Sequence, residues 1–175
     1  MKKLFLLAAI AVCSVAVNAQ VWVSGNVGFN RDTKSNVTSL QVAPQVGYQL
    51  SDKWDIALEL GYNHSYNGDF KTNSFDVMPF VRYSFFKSGI VTLFADGMVG
   101  FGTSKTDIDG AEATNDFGVG LRPGLKVDVT EKFAFVATCG YVGYHQATND
   151  GETVAENVGF NVNATNLTFG LVYKF

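Results

Sequence analysis

Beyond its first 19 residues the chain has no apolar run near the roughly 18 residues a membrane-spanning helix needs, which excludes a helical bundle in the bilayer. Cysteine is scarce as well. Of 2 in all, Cys13 lies in the N-terminal segment and Cys139 is then a lone thiol, so no intramolecular disulfide or multi-cysteine metal site can form. The 3 prolines and 18 glycines follow no fixed period, which excludes collagen-like and low-complexity chains. Charge is sparse at 17% and forms no basic cluster, so nucleic acid is not an expected partner. What is plentiful is apolar: 47% hydrophobic and 14% aromatic residues in a chain of 175, enough for one folded domain.

The N-terminal segment reads as an export signal. Lys2 and Lys3 precede an apolar stretch from Leu4 to Val12, and Val17, Asn18 and Ala19 form a small-residue cleavage pattern. The reading divides the chain into a signal at 1–19 and a domain at 20–175. A lipoprotein box at Ile10–Cys13 is the competing reading, disfavoured by the bulk of Val12. Loss of residues 1–19 removes two lysines from 13 bases and nothing from 16 acids, leaving a net charge near −5.

From Gln20 onward the dominant signal has period 2, the mark of strands with two unlike faces. Trp54, Ile56, Leu58, Leu60 and Tyr62 alternate with Asp55, Ala57, Glu59, Gly61 and Asn63, and the same holds in each of about eight segments. Connections after the second, fourth and sixth are tight. Those at Arg31–Val37, Ser65–Thr72, Thr103–Asn115 and Gln146–Gly159 are longer and polar, and are expected to be loops. Short turns at one end and long loops at the other describe an up-and-down, eight-stranded antiparallel transmembrane β-barrel. Pro44, Pro79 and Pro123 recur at matching places in the hairpins, and each predicts a bulge or local break in the ladder.

Three features assign the apolar face to lipid. Its aromatics collect at the strand ends, with Tyr48, Trp54, Tyr83, Phe85, Phe133, Phe135, Tyr173 and Phe175 at the turn end. Phe29, Tyr62, Phe75, Phe101, Phe117 and Tyr141 stand at the loop end. The opposite face is rich in small residues, as a narrow lumen requires. Its charges also balance, and enclosed charges persist only when paired. The expected lumenal charge network comprises Glu59, Asp76, Arg82, Asp96, Arg122 and Lys126, with Glu59, Arg82, Asp96 and Arg122 at similar depth and alternating sign.

The hairpins APQVGYQLSDKW and RPGLKVDVTEKF and the ending LTFGLVYKF resemble the small outer membrane β-barrel domain proteins of Gram-negative bacteria, of Bacteroidota type, often labelled porin family. Leu167, Phe169, Leu171, Tyr173 and the terminal Phe175 are similar to the C-terminal signal read by the barrel-assembly machinery. The resemblance implies an outer-membrane location, outer-membrane lipid and lipopolysaccharide as surroundings, and a monomer with an extracellular ligand of unspecified kind.

Eight strands leave a lumen only wide enough for side chains, which argues against a general porin. The expected role is structural or interactive, through the outer loops, without catalysis. A narrow pore for ions or small solutes and a lipid-A-modifying enzyme are the alternatives. His64 and His145 lie at loop ends, but neither begins a His-x-Ser arrangement, and both read as interfacial. No cofactor or metal is called for. Gly118, Gly120 and Gly124 precede no helix, and DIDGAE lacks calcium-loop spacing, so the acids Asp107, Asp109, Glu112, Asp116, Asp150, Glu152 and Glu156 read as solvated. Sequons at Asn36, Asn163 and Asn166 are chance matches, and Cys139 reads as a small hydrophobe.

Overall fold

The computed structural model describes residues 21–32, 37–108, 112–161 and 167–175, with the backbone alone at 29, 30, 32, 160, 161 and 167. The proposed export signal, the Phe29 ring, the Leu167 side chain, Asp109 and all three sequon asparagines lie outside these limits.

Ten strand segments follow one another: β1 (Val21–Asp32), β2 (Val37–Gln49), β3 (Trp54–Tyr66), β4 (Lys71–Ser88), β5 (Val91–Thr106), β6 (Thr114–Asp128), β7 (Phe133–Cys139), β8 (Tyr141–Asn149), β9 (Glu152–Asn161) and β10 (Leu167–Lys174). They make eight staves. β7 and β8 share one stave, pairing with the two halves of β6, while β9 and β10 pair with β8 and β7. All pairings are antiparallel, and β10 returns to β1, where Trp22 faces Lys174 and Asn26 faces Gly170, closing the cylinder.

Burial is inverted relative to a water-soluble domain. Leu121, Phe169 and Leu171 on the outer face are 55, 66 and 47% exposed, whereas Trp22, Phe80, Phe94 and Asp96 on the inner face are 6, 3, 0 and 0% exposed. Large exposed apolar surface of this extent belongs against hydrocarbon. Rings pair at the turn-end rim, Trp54 with Tyr83 at 4.5 Å and Phe133 with Tyr173 at 5.1 Å between centroids.

The repeated turns have a common cause. Ser51 Oγ accepts hydrogen bonds from the Lys53 and Trp54 amides, and Thr130 Oγ1 accepts them from Lys132 and Phe133, so each hydroxyl replaces a backbone partner inside the turn. The prolines also behave alike. Pro44, Pro79 and Pro123 pair regularly with the preceding strand, opposite Gly25, Leu58 and Ala95. Toward the following strand the ladder breaks at each, because proline has no N–H to donate. Only at Pro123 does the register shift: Arg122 and Pro123 lie opposite three residues, 139–141.

That shift corrects one expectation. Gly140, at φ 72°, adopts a conformation open chiefly to glycine and inserts an extra residue, which reverses the inside–outside phase of the stave. Tyr141 therefore points into the lumen and not into the outer aromatic girdle. Its hydroxyl reaches the Val119 and Tyr144 carbonyls at 2.8 and 2.9 Å.

A second correction concerns the loops. β4 has 18 residues and β5 has 16, well beyond the roughly 9–11 that cross a bilayer, so the wall continues past the hydrocarbon at the loop end. The segment expected as a loop from Gln146 to Gly159 is a β8–β9 hairpin closed by Asp150 and Gly151 at φ 49° and 78°, the asparagine- or aspartate-glycine signature of a tight hairpin turn. Polar residues on both faces disguised these strands, since neither face of a strand above the membrane needs to be apolar.

Candidate functional site

Four charged side chains stand shoulder to shoulder on the inner wall. Register places Asp55 of β3 beside Arg82 of β4, Arg82 beside Asp96 of β5, and Asp96 beside Arg122 of β6. Arg82 donates from Nε to Asp96 Oδ1 at 2.7 Å and from Nη2 to Oδ2 at 2.9 Å, a bidentate fork with side-chain exposures of only 4 and 0%. Arg122 Nη2 bridges Asp96 Oδ2 at 3.4 Å and Glu59 Oε2 at 3.3 Å. Gln45 Nε2 donates to the same Glu59 oxygen. Glu59 is in register with Met78, so it joins this group by reaching across the lumen rather than along the wall.

Aromatic rings surround the fork. The Arg82 guanidinium lies 3.8 Å from the Phe94 ring centroid and 5.4 Å from both Trp22 and Phe80, within range of cation–π attraction. These rings, with Met98, Ala134, Val136 and Val172, form the buried cluster of the protein. Glycines on adjacent strands make room for them. A Cβ at Gly47 would collide with the Trp22 indole, and one at Gly124 would meet the Phe94 ring. The charged ladder and the rings together fill the cylinder at mid-depth.

Above this stopper is a chamber of about 400 Å³ lined by Asp76, Asp116, Tyr141 and His145. His145 Nε2 lies 3.2 Å from Asp116 Oδ1, a pair with side chains 50 and 28% exposed. Asp76 and Asp116 flank Gly102, whose missing side chain leaves the space that the Asp76 carboxylate occupies. Among the described residues, no group of three or more His, Cys, Asp and Glu side chains is placed to hold a metal ion. Below the stopper a second chamber of about 490 Å³ contains Lys126, Lys174, Asp55 and Asp128.

Of the six residues singled out for the lumen, four therefore come together, while Asp76 lies in the upper chamber and Lys126 in the lower one. Trp22, Gln45 and Thr92, all buried on the inner face, are not among the residues singled out from the sequence. Trp22 carried a readable signal, an aromatic ring in the polar phase of its strand. Phe169 and Leu171 face outward, and Tyr173 packs between Phe133 and Phe175, with the Phe175 ring at 5.0 Å. His64 Nδ1 lies 2.8 Å from Asn73 Oδ1, and no described serine or threonine hydroxyl bonds to either histidine.

The sequence profile described as the outer membrane protein beta-barrel domain matches residues 5–175. Among curated proteins none matches the chain. Solved structures share its fold at low identity. The Pseudomonas aeruginosa outer membrane protein OprG has a TM-score of 0.55 at 12% identity, over 90% of this chain and 96% of that one. The N-terminal β-barrel domain of Pseudomonas aeruginosa OprF gives 0.54 at 15%, over 90 and 98%. Neisserial surface protein A gives 0.52 at 14%, over 89 and 96%.

Proposed function

Since the chain belongs to the outer membrane protein beta-barrel domain family and resides in the outer membrane, we propose that it is a closed, monomeric wall protein that acts through its extracellular rim, without conducting or catalysing. The observation that carries this reading is the stopper: the Arg82–Asp96 fork, its side chains 4 and 0% exposed, is packed among Trp22, Phe80 and Phe94. Short turns and both ends of the described chain lie together, where the Phe175 amide donates to the Val21 carbonyl; in outer-membrane barrels this end faces the periplasm. On this reading the rim meets lipopolysaccharide and extracellular ligands, and the alternating C-terminal residues from Leu167 to Phe175 engage the barrel-assembly machinery.

Planar-bilayer recording tests it. The expected trace is flat at high protein load, in the wild type and in Arg122→Ala alike, with a heat-modifiable gel shift showing that the protein is folded. Discrete current steps that change with Arg122→Ala would support a narrow gated pore instead. One observation favours that second reading: Arg122 holds its carboxylates at 3.3 and 3.4 Å, a looser latch than the Arg82 fork at 2.7 and 2.9 Å. A lipid-A-modifying activity would require a change in lipid A mass on expression, lost in His145→Ala. The position of His145 beside Asp116 on the lumenal side, away from the lipid face, speaks against it.

A further inference from the structure

The lower chamber carries a polar arrangement that the stopper does not use. Lys87 of β4, Thr92 of β5 and Lys126 of β6 are direct cross-strand neighbours on its wall, so two lysines flank one threonine. Thr92 is 3% exposed, and its Oγ1 has no hydrogen-bond partner. A buried hydroxyl without a partner is costly, so the arrangement calls for an acceptor from outside the chain. Among the described residues Lys126 forms no hydrogen bond or ion pair. Of the nearby carboxylates, Asp128 is engaged by Lys174 at 2.5 Å, while Asp55 stands beside Arg82 in register and shares the field of Lys126. Arg82 in the ceiling is held by Asp96. Lys53 and Asp52 at the mouth offset one another in charge, and Asp55 offsets one of the two remaining lysines, Lys87 and Lys126, so the chamber keeps a surplus of one positive charge.

We propose that this chamber binds a phosphate-bearing anion presented from the periplasmic side. A tetrahedral phosphate accepts in several directions at once, matching two ammonium donors and a hydroxyl spread over three adjacent strands. Partial enclosure strengthens the attraction relative to open water. The phosphate has two possible sources, a soluble phosphate or the headgroup of an inner-leaflet phospholipid, for Phe85 and Phe86 at the mouth are 54 and 53% exposed at the interface.

The test is a phosphorus NMR titration of the full barrel refolded in an alkyl glucoside micelle, which contributes no phosphorus. Inorganic phosphate is expected to show saturable line broadening. Thr92→Val and Lys126→Met should each weaken binding about tenfold or more, the loss of one hydrogen bond to a charged group, and Asp116→Asn in the upper chamber should leave it unchanged. Thr92→Val preserves side-chain shape, so it decides the matter even if Lys126→Met refolds poorly. Doping the micelle with short-chain phosphatidylglycerol separates the sources. Displacement of phosphate by this lipid but not by diacylglycerol assigns the site to a headgroup, and no displacement assigns it to a soluble anion. Absence of saturable broadening with both probes, or binding that persists undiminished in both variants, overturns the proposal and leaves a chamber filled with water only. Conductance plays no part in this readout, so the outcome is independent of whether the stopper is closed.

Discussion

The two halves of the lumen are built from opposite materials. On the turn side, and up to mid-depth, large rings and a bidentate ion pair are locked together with almost no exposure. On the loop side the wall is lined by Gly61, Gly100, Gly102 and Gly118, and the one ion pair among the described residues there, Asp116 with His145, is partly wet. In a cylinder whose outer face is immersed in lipid, side-chain packing that distinguishes one register from another has to be internal. Here that burden falls on one half, which leaves the other free for water and charge.

The sharpest way to break this asymmetry is Asp96→Ala. It leaves Arg82 buried without its carboxylate and deprives Arg122 of one, and a loss of about 3–5 kcal/mol is expected in reversible urea unfolding from lipid vesicles. Replacing both partners, as Arg82→Met with Asp96→Leu, should recover most of that loss, since an apolar pair avoids the desolvation that the ions must offset. Gly120→Ala probes the boundary between the halves. A Cβ there would lie 2.5 Å from both Tyr141 Cε2 and the Val142 carbonyl oxygen, and displacing ring and backbone is expected to cost about 1–3 kcal/mol in the same assay. Tyr141→Phe, which removes only the hydroxyl contact to the Val119 and Tyr144 carbonyls, should cost about 1 kcal/mol. Least of all, Asp116→Asn should change stability by under about 1 kcal/mol, because its histidine partner is half exposed. A larger effect at Asp116 than at Asp96 would invert the comparison.

Much of the architecture is written in the alternation. The inward phase of Glu59, Arg82, Asp96 and Arg122 follows from period 2, and the shared turn chemistry from the echo of LSDKW in VTEKF. What escapes a period-2 reading is whatever breaks or crosses it. Gly140 slips the phase by one residue, so the outward aromatic expected at Tyr141 is an inward one. Glu59 meets Arg122 across the lumen, a contact set by how the staves close rather than by position along any of them. The rim strands lie beyond hydrocarbon, where polarity ceases to report secondary structure, and so β8 and β9 were legible only through Asn149, Asp150, Gly151 and Glu152 at their turn.

The tall rim bears on how the cell surface is read from outside. Residues 146–159 are tied into a ladder, with Gln146 opposite Glu156 and His145 opposite Asn157, so neighbouring side chains leave in opposite directions and no short stretch is displayed as a continuous epitope. An antibody raised against the corresponding free peptide should stain denatured protein on a blot and pass over intact cells, while one selected on the refolded protein should do the reverse.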